Sequence, residues 1–208
     1  MKKLKGDKDN MKKNTMATVY YIIVIWTVMF ILCQVTNLKD ILCGKGMHLL
    51  AGEYYRVITG AFLHLNLIHL LANILALYFV TIYLNGKING WMVMIIGIIG
   101  STIAEGVFLT IFPDTHSSVG GSGIIFSIIG FILVCQIIWK NCAPFQLGTW
   151  YGNWTLGYAI LSNLISPKLG GPDISTILFH VLALIGGFIV GTVLLPRSCV
   201  LWHGGRRS

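Results

Sequence analysis

Ser118-Val119-Gly120-Gly121-Ser122-Gly123-Ile124-Ile125-Phe126 sets one hydroxyl between glycines at the mouth of a long apolar run. Glycine on both sides lets backbone and ligand atoms come close to the Ser122 oxygen, and lets the residues ahead of the run take dihedrals that a Cβ forbids. The same small residues also let two membrane helices pack tightly. A reactive serine and a packing motif therefore look alike at this point, and only partners elsewhere in the chain separate them.

The apolar run after Ser122 is one of several, and together they set the fold class. Of 208 residues, 55% are hydrophobic and 11% charged, with a mean hydropathy of +0.78, outside the range of ordinary soluble domains. Runs at 15–35, 64–84, 91–112, 122–139, 150–165 and 174–195 each approach the ~20 residues that a bilayer-spanning helix needs. The expectation is an all-α membrane protein with six transmembrane helices in one domain, residues 15–195. The run at 150–165 is the shortest and least uniform, since it carries Asn153 and Asn163. Residues 1–14, Lys-rich and without apolar periodicity, read as a disordered basic tail, and 196–208 as a second basic tail.

Charge placement gives an orientation. Lys2, Lys3, Lys5, Lys8, Lys12 and Lys13 precede the first run; with six spans, Lys87, Lys140, Arg197, Arg206 and Arg207 fall on that same side, against Lys39, Lys45, Arg56 and Lys168 opposite. The positive-inside rule then places both termini in the cytoplasm. The net charge of +8 is thus mostly orientation, and short basic flanks on membrane segments argue against a nucleic-acid partner. The first run lacks a small-x-small cleavage site and reads as a retained signal anchor. Cys33, Cys43, Cys135, Cys142 and Cys199 show no paired spacing, which argues for neither a disulfide framework nor a metal site. The absence of organelle targeting favours a bacterial plasma membrane. The connection at 37–63, roughly 25 residues, is too long to be an inert linker, and its aromatic and amphipathic content suits the outer membrane interface.

Polar residues inside membrane runs are functional candidates by default. His69 and Asn73, four apart, share a helix face, whereas His64, five before His69, points elsewhere on a helical wheel. Glu105 lies deep in the third run and reads as a structural acid beside Ser101 and Gly106. His180 is followed by Ala183, Gly187 and Gly191, and the fourth run carries Gly123, Ser127 and Gly130 at a similar period. Two such stripes allow a close crossing of the fourth and sixth helices, with Asp173 or Ser175 capping the latter. At about 1.5 Å of rise per residue, His69, Asn73, Ser122 and His180 all fall in the outer half of the bilayer. His48 and His203 fall outside that layer.

A serine within reach of a histidine is an activated nucleophile. The Ser122 N–H, the Asn73 amide and the His69 imidazole are donor types suited to a developing oxyanion. No carboxylate is placed to orient His180, so a dyad fits better than a triad. His64 and His69 lack the spacing and the glutamate of a zinc-protease helix, and the chemistry calls for no metal or cofactor.

These residues resemble a known family. The Gly120-Gly121-Ser122-Gly123 segment, with Phe126 one turn on, is similar to the motif opening helix four of the rhomboid intramembrane serine proteases. His64-x4-His69-x3-Asn73 resembles that family's helix-two motif, and His180-x2-Ala183-x3-Gly187-x3-Gly191 its helix-six motif. The resemblance implies a six-helix rhomboid-like bundle in which Ser122 is nucleophile, His180 general base and acid, and His69 and Asn73 complete the oxyanion hole. It implies transmembrane protein substrates met within the lipid bilayer, with supporting roles for Gly120, Gly121, Gly123, Phe126, His64 and Arg56. The chain departs from the family pattern in having Tyr54 and Tyr55 before Arg56 rather than a tryptophan, Ala183 for a frequent glycine, and Phe126 for a tyrosine. Two other classes stand as rivals: a silent relative that binds transmembrane clients, and a small-solute transporter, for which the chain lacks a convincing internal repeat.

Overall fold

The computed structural model describes residues 2–84, 88–113, 118–138, 145, 147–165 and 171–194. Helices lie at Lys2–Val35 (α1), Leu38–Leu42 (α2), Gly46–Leu50 (α3), Arg56–Thr59 (α4), Leu67–Leu84 (α5), Gly90–Ile111 (α6), Ser122–Leu133 (α7), Trp150–Leu164 (α8) and Ile174–Leu194 (α9). A 3-10 turn, Gly60–Phe62, follows α4, and α7 continues as a π-helical turn over Val134–Ile138. Among the described residues there is no strand, only an isolated bridge between Gly44 and Ser118.

The expected all-α membrane fold is observed. Four segments are long and apolar enough to cross a bilayer: Lys13–Val35, Leu67–Leu84, Gly90–Ile111 and Ile174–Leu194. The Ser122–Ile138 segment is shorter, and α8 has 15 residues. α1 differs from expectation at its start, since it takes in residues 2–14 that the sequence assigns to a disordered tail. Lysine is a good helix former, and extending an existing helix needs no new nucleus, so the apolar part of α1 carries the helix back toward the N-terminus. Residues 196–208, the second expected tail, lie outside the described residues.

α7 is the centre of the bundle. Every residue from Ser122 to Ile132 is buried, which is what an all-round apolar sequence requires. α9 crosses it at backbone distance: the Ser127 hydroxyl donates to the Ala183 carbonyl at 2.9 Å, Gly187 rests on the Ser127 backbone, and Gly130 on the Leu184 carbonyl. Farther along, Gly191 meets Phe131, so the two helices run parallel. α6 lies antiparallel to both, with Gly97 against Ile124 and Ile128, and Gly100 against Gly187. The small-residue stripes thus do what their spacing predicts, and they extend to a third helix. Large apolar side chains such as Ile68, Val35 and Val193 cover the outside.

The connection between α1 and α5 is ordered by one buried cation. Arg56 donates through Nε to Glu53 at 2.6 Å and through Nη1 to the carbonyls of Asp40 at 2.7 Å and Cys43 at 3.1 Å. The fastened loop then holds the approach to α7: Gly44 and Ser118 exchange backbone bonds of 3.0 and 2.7 Å, and the Gly120 N–H donates to Gly60 at 3.1 Å. Glu105 accepts from the Ser118 hydroxyl at 3.0 Å, so this acid reaches across to the same segment rather than only bonding beside itself on α6. At α9, Asp173 is the capping side chain, accepting from the Ser175 N–H at 3.2 Å and the Thr176 hydroxyl at 2.7 Å.

Two outcomes are expected. Gly187→Val drives a side chain into the Ser127 backbone and lowers stability by about 1–3 kcal/mol or more, whereas Gly106→Ala, with open space beyond it, is neutral or mildly stabilising; unfolding in detergent measures both. Hydrogen bonds from His48, Arg56 and Tyr55 lower the Glu53 carboxyl from 4.5 to about 2. Because the folded value is depressed, this contribution is complete above pH 4.5 and is lost as pH falls through about 2. Protection of the 37–63 connection from proteolysis or hydrogen exchange should follow that window, and Glu53→Gln should remove the dependence.

Candidate active site

The turn into α7 is shaped by contacts that exclude side chains. Gly120 has φ of +139°, a conformation that favours glycine, and a Cβ there would stand 2.7 Å from the His69 ring. Gly121 is backed by the Trp26 indole, and Gly123 by Ser101 and Phe179. Ser122 becomes the first residue of α7, where the N–H groups of the opening turn have no intrahelical acceptor.

Ser122 lines a cavity of about 950 Å³ together with His69, Asn73 and His180. The four residues whose depths agree in the sequence are therefore brought to one space, from α5, α7 and α9. Apolar residues of α5 and α8, among them Leu71, Leu75, Trp154 and Leu161, form facing walls. His180 is 3% exposed, and Phe126 stacks flat on its ring, 4.1 Å between centroids at 12°. Its Nδ1 is 2.9 Å from Asn163 Oδ1. Among the described residues, no hydrogen bond joins Ser122 to His180; such contacts commonly tighten only when substrate is bound.

Asn73 is oriented from α8. The Tyr158 hydroxyl donates to Asn73 Oδ1 at 2.6 Å, which leaves Nδ2 turned away from that bond and without a hydrogen-bond partner among the described residues. His69 follows Asn66, whose side chain accepts the His69 N–H at 2.8 Å and starts α5. His64 does not point elsewhere, as a helical wheel predicts. Its ring lies edge-on between Trp26 at 5.2 Å and His69 at 5.3 Å. The reason is local: α5 begins only at Leu67, so helical spacing does not apply to His64. Arg56 is outside the cavity and fastens the loop that pairs with Ser118 and Gly120.

Two residues that hold the site, Tyr158 and Asn163, were missed as functional residues in the sequence. Both lie on α8, and the available signal was an amide and a phenol in a membrane run, where polar groups need partners. Among the described residues, no three His, Cys, Asp or Glu side chains gather as a metal-holding group.

Comparison with known proteins identifies the family. Residues 51–197 match the Rhomboid domain, more than half of the chain. A protein of Bacillus subtilis (strain 168) named "Putative rhomboid protease YdcA" is 26% identical over 167 residues, which span 77% of this chain and 77% of that relative. With a helical membrane fold and a domain match of this extent, the chain belongs to the rhomboid family and is a rhomboid-type serine protease.

Proposed function

We propose that Ser122 and His180 form the catalytic dyad of this protease, and that it cleaves a peptide bond in or beside a transmembrane segment through an acyl-enzyme. The observation that carries this is the meeting of Ser122, His180, His69 and Asn73 at one cavity. Ser122 Oγ attacks the scissile carbonyl carbon and its proton passes to His180 Nε2. The carbonyl electrons move onto oxygen, toward donors: the Ser122 N–H at the start of α7, the Asn73 Nδ2, unpartnered among the described residues, and the His69 imidazole. Collapse breaks the C–N bond, and His180 returns the proton to the leaving nitrogen. A water then attacks the ester with His180 as base, releasing the acid and restoring Ser122.

A low-dielectric surround strengthens these donors, and the Phe126 face keeps the imidazole in one plane. The facing apolar walls from α5 and α8 suit a membrane segment whose helix must locally unwind, because an intact helix hides its carbonyls in hydrogen bonds. Substrates therefore carry small or helix-destabilising residues at the cut.

The parallel course of α7 and α9 supports six crossings, since α8 then has to return the chain between them. With the basic flanks, that count favours cytoplasmic termini and a site open to the outside, in keeping with a bacterial plasma membrane. Retention of both the serine and the histidine favours an active protease over a client-binding relative.

A fluorophosphonate tests the dyad without knowledge of the substrate. One covalent adduct is expected by intact mass on the wild type and none on Ser122→Ala or His180→Ala; labelling that survives Ser122→Ala would rule out this nucleophile. Asn73→Ala should slow labelling roughly a hundredfold to a thousandfold, the usual cost of losing one oxyanion donor, while the protein remains folded.

A further inference from the structure

Asn163 stands where the third member of a triad would act. Its amide orientation is fixed by two contacts on opposite sides of the carboxamide. Nδ2 lies 2.7 Å from the Ala159 carbonyl, one turn back on α8, and a carbonyl oxygen can only accept, so the NH2 group must face it. Oδ1 is therefore the atom directed at His180 Nδ1, 2.9 Å away. An amide oxygen can only accept as well. Nδ1 must carry the proton, and in the neutral ring Nε2 keeps the lone pair.

That is the tautomer a general base needs if Nε2 is to take the Ser122 proton. Which ring nitrogen is protonated follows from the bond that the other one makes. Phe126 fixes the plane of the ring by stacking, but a stacked ring can still turn over by 180° about Cβ–Cγ and carry its proton on either nitrogen. A directed acceptor at Nδ1 removes both freedoms.

We infer that Asn163 is the positioning residue of the dyad, a neutral acceptor on α8 that holds His180 as the Nδ1–H tautomer with Nε2 available to Ser122. This rests on the reading of Ser122 and His180 as the dyad. An amide in place of a carboxylate fits its surroundings: a buried charge in an apolar bundle carries a large desolvation cost, whereas an amide satisfies itself on Ala159 and needs no counter-ion.

The test compares the full-length wild type in detergent with Asn163→Leu, of similar size but without the acceptor, and Asn163→Asp, which keeps an oxygen at the same reach. Fluorophosphonate labelling rates are read beside the 15N spectrum of the histidine side chains, with the His180 signal assigned by its loss in His180→Ala. The wild type should show a protonated Nδ1 and an unprotonated Nε2. Asn163→Leu should lose that preference and label roughly tenfold to a hundredfold more slowly, the scale of lost ring orienters in other sites. Asn163→Asp, which keeps the acceptor but not the bond to Ala159, should recover the tautomer.

A wild-type tautomer in Asn163→Leu overturns the inference whether or not its labelling slows, because slowing alone is what a merely structural tie between α8 and α9 would give. Failure of the dyad reading shows itself separately, as labelling that Ser122→Ala does not reduce. The spectrum, recorded also in Ser122→Ala, then still decides what Asn163 does to the ring.

Discussion

The contact between the Ser127 backbone and Gly187 fixes the rest of the site. Two parallel helices that touch at the backbone have almost no freedom to slide, because Gly187 and Gly130 each sit against a carbonyl of the other helix that cannot turn aside. Ser122 lies five residues above Ser127 and His180 seven above Gly187, so both stand within about two helical turns of the crossing. Over that distance a helix is stiff, and the separation of the two side chains is set by the crossing. The Ser127 hydroxyl on the Ala183 carbonyl adds a directed bond at the same point and fixes rotation as well as approach.

The mouth of the site is held by a different kind of interaction. Irregular backbone at membrane depth is tolerated only when protein satisfies its N–H and C=O groups. Here that work passes along a chain of contacts. Arg56 gathers the carbonyls of Asp40 and Cys43, the loop so formed offers Gly44 and Gly60 to Ser118 and Gly120, and Gly120 lies under the His69 ring. Glu105 closes the circuit from α6 through the Ser118 hydroxyl. A change at Arg56 thus reaches Gly120, and the His69 ring above it, without touching either, which is a route by which a residue outside the cavity can act on its lining.

The sequence made the frame legible because its signals are local or periodic. Apolar runs gave the long helices, the Gly and Ser stripes gave the α7–α9 crossing, and common depth gave the grouping of Ser122, His180, His69 and Asn73. What it hid depends on where chain segments meet. A wheel gives His64 the wrong direction because residues 63–66, between the 3-10 turn and α5, are not helical. The helical start of α1 was hidden by a composition that is also that of disordered tails. Glu105 was legible as a buried acid, but its partner, 13 residues away in a loop, was not. Asn163 was visible only as an irregularity in a weak apolar run, since no spacing within α8 shows that it faces a histidine of α9.

α8 gives the sharpest case of how polarity is distributed in this bundle. Only Gly152 and Thr155 are buried along its 15 residues, so packing alone does not hold it as it holds α7. Yet it supplies Tyr158 to Asn73 and Asn163 to His180, at 2.6 Å and 2.9 Å. In a low-dielectric interior each of these bonds is strong, and each leaves a costly unpaired group if one partner is removed. The same two bonds seat the helix and orient Asn73 and His180, the proposed oxyanion donor and the proposed base. Their effects on activity are therefore coupled through the position of α8, and double-mutant cycles between Tyr158 and Asn163 should show non-additivity of about 0.5–3 kcal/mol even though the two side chains bond to different residues of the site.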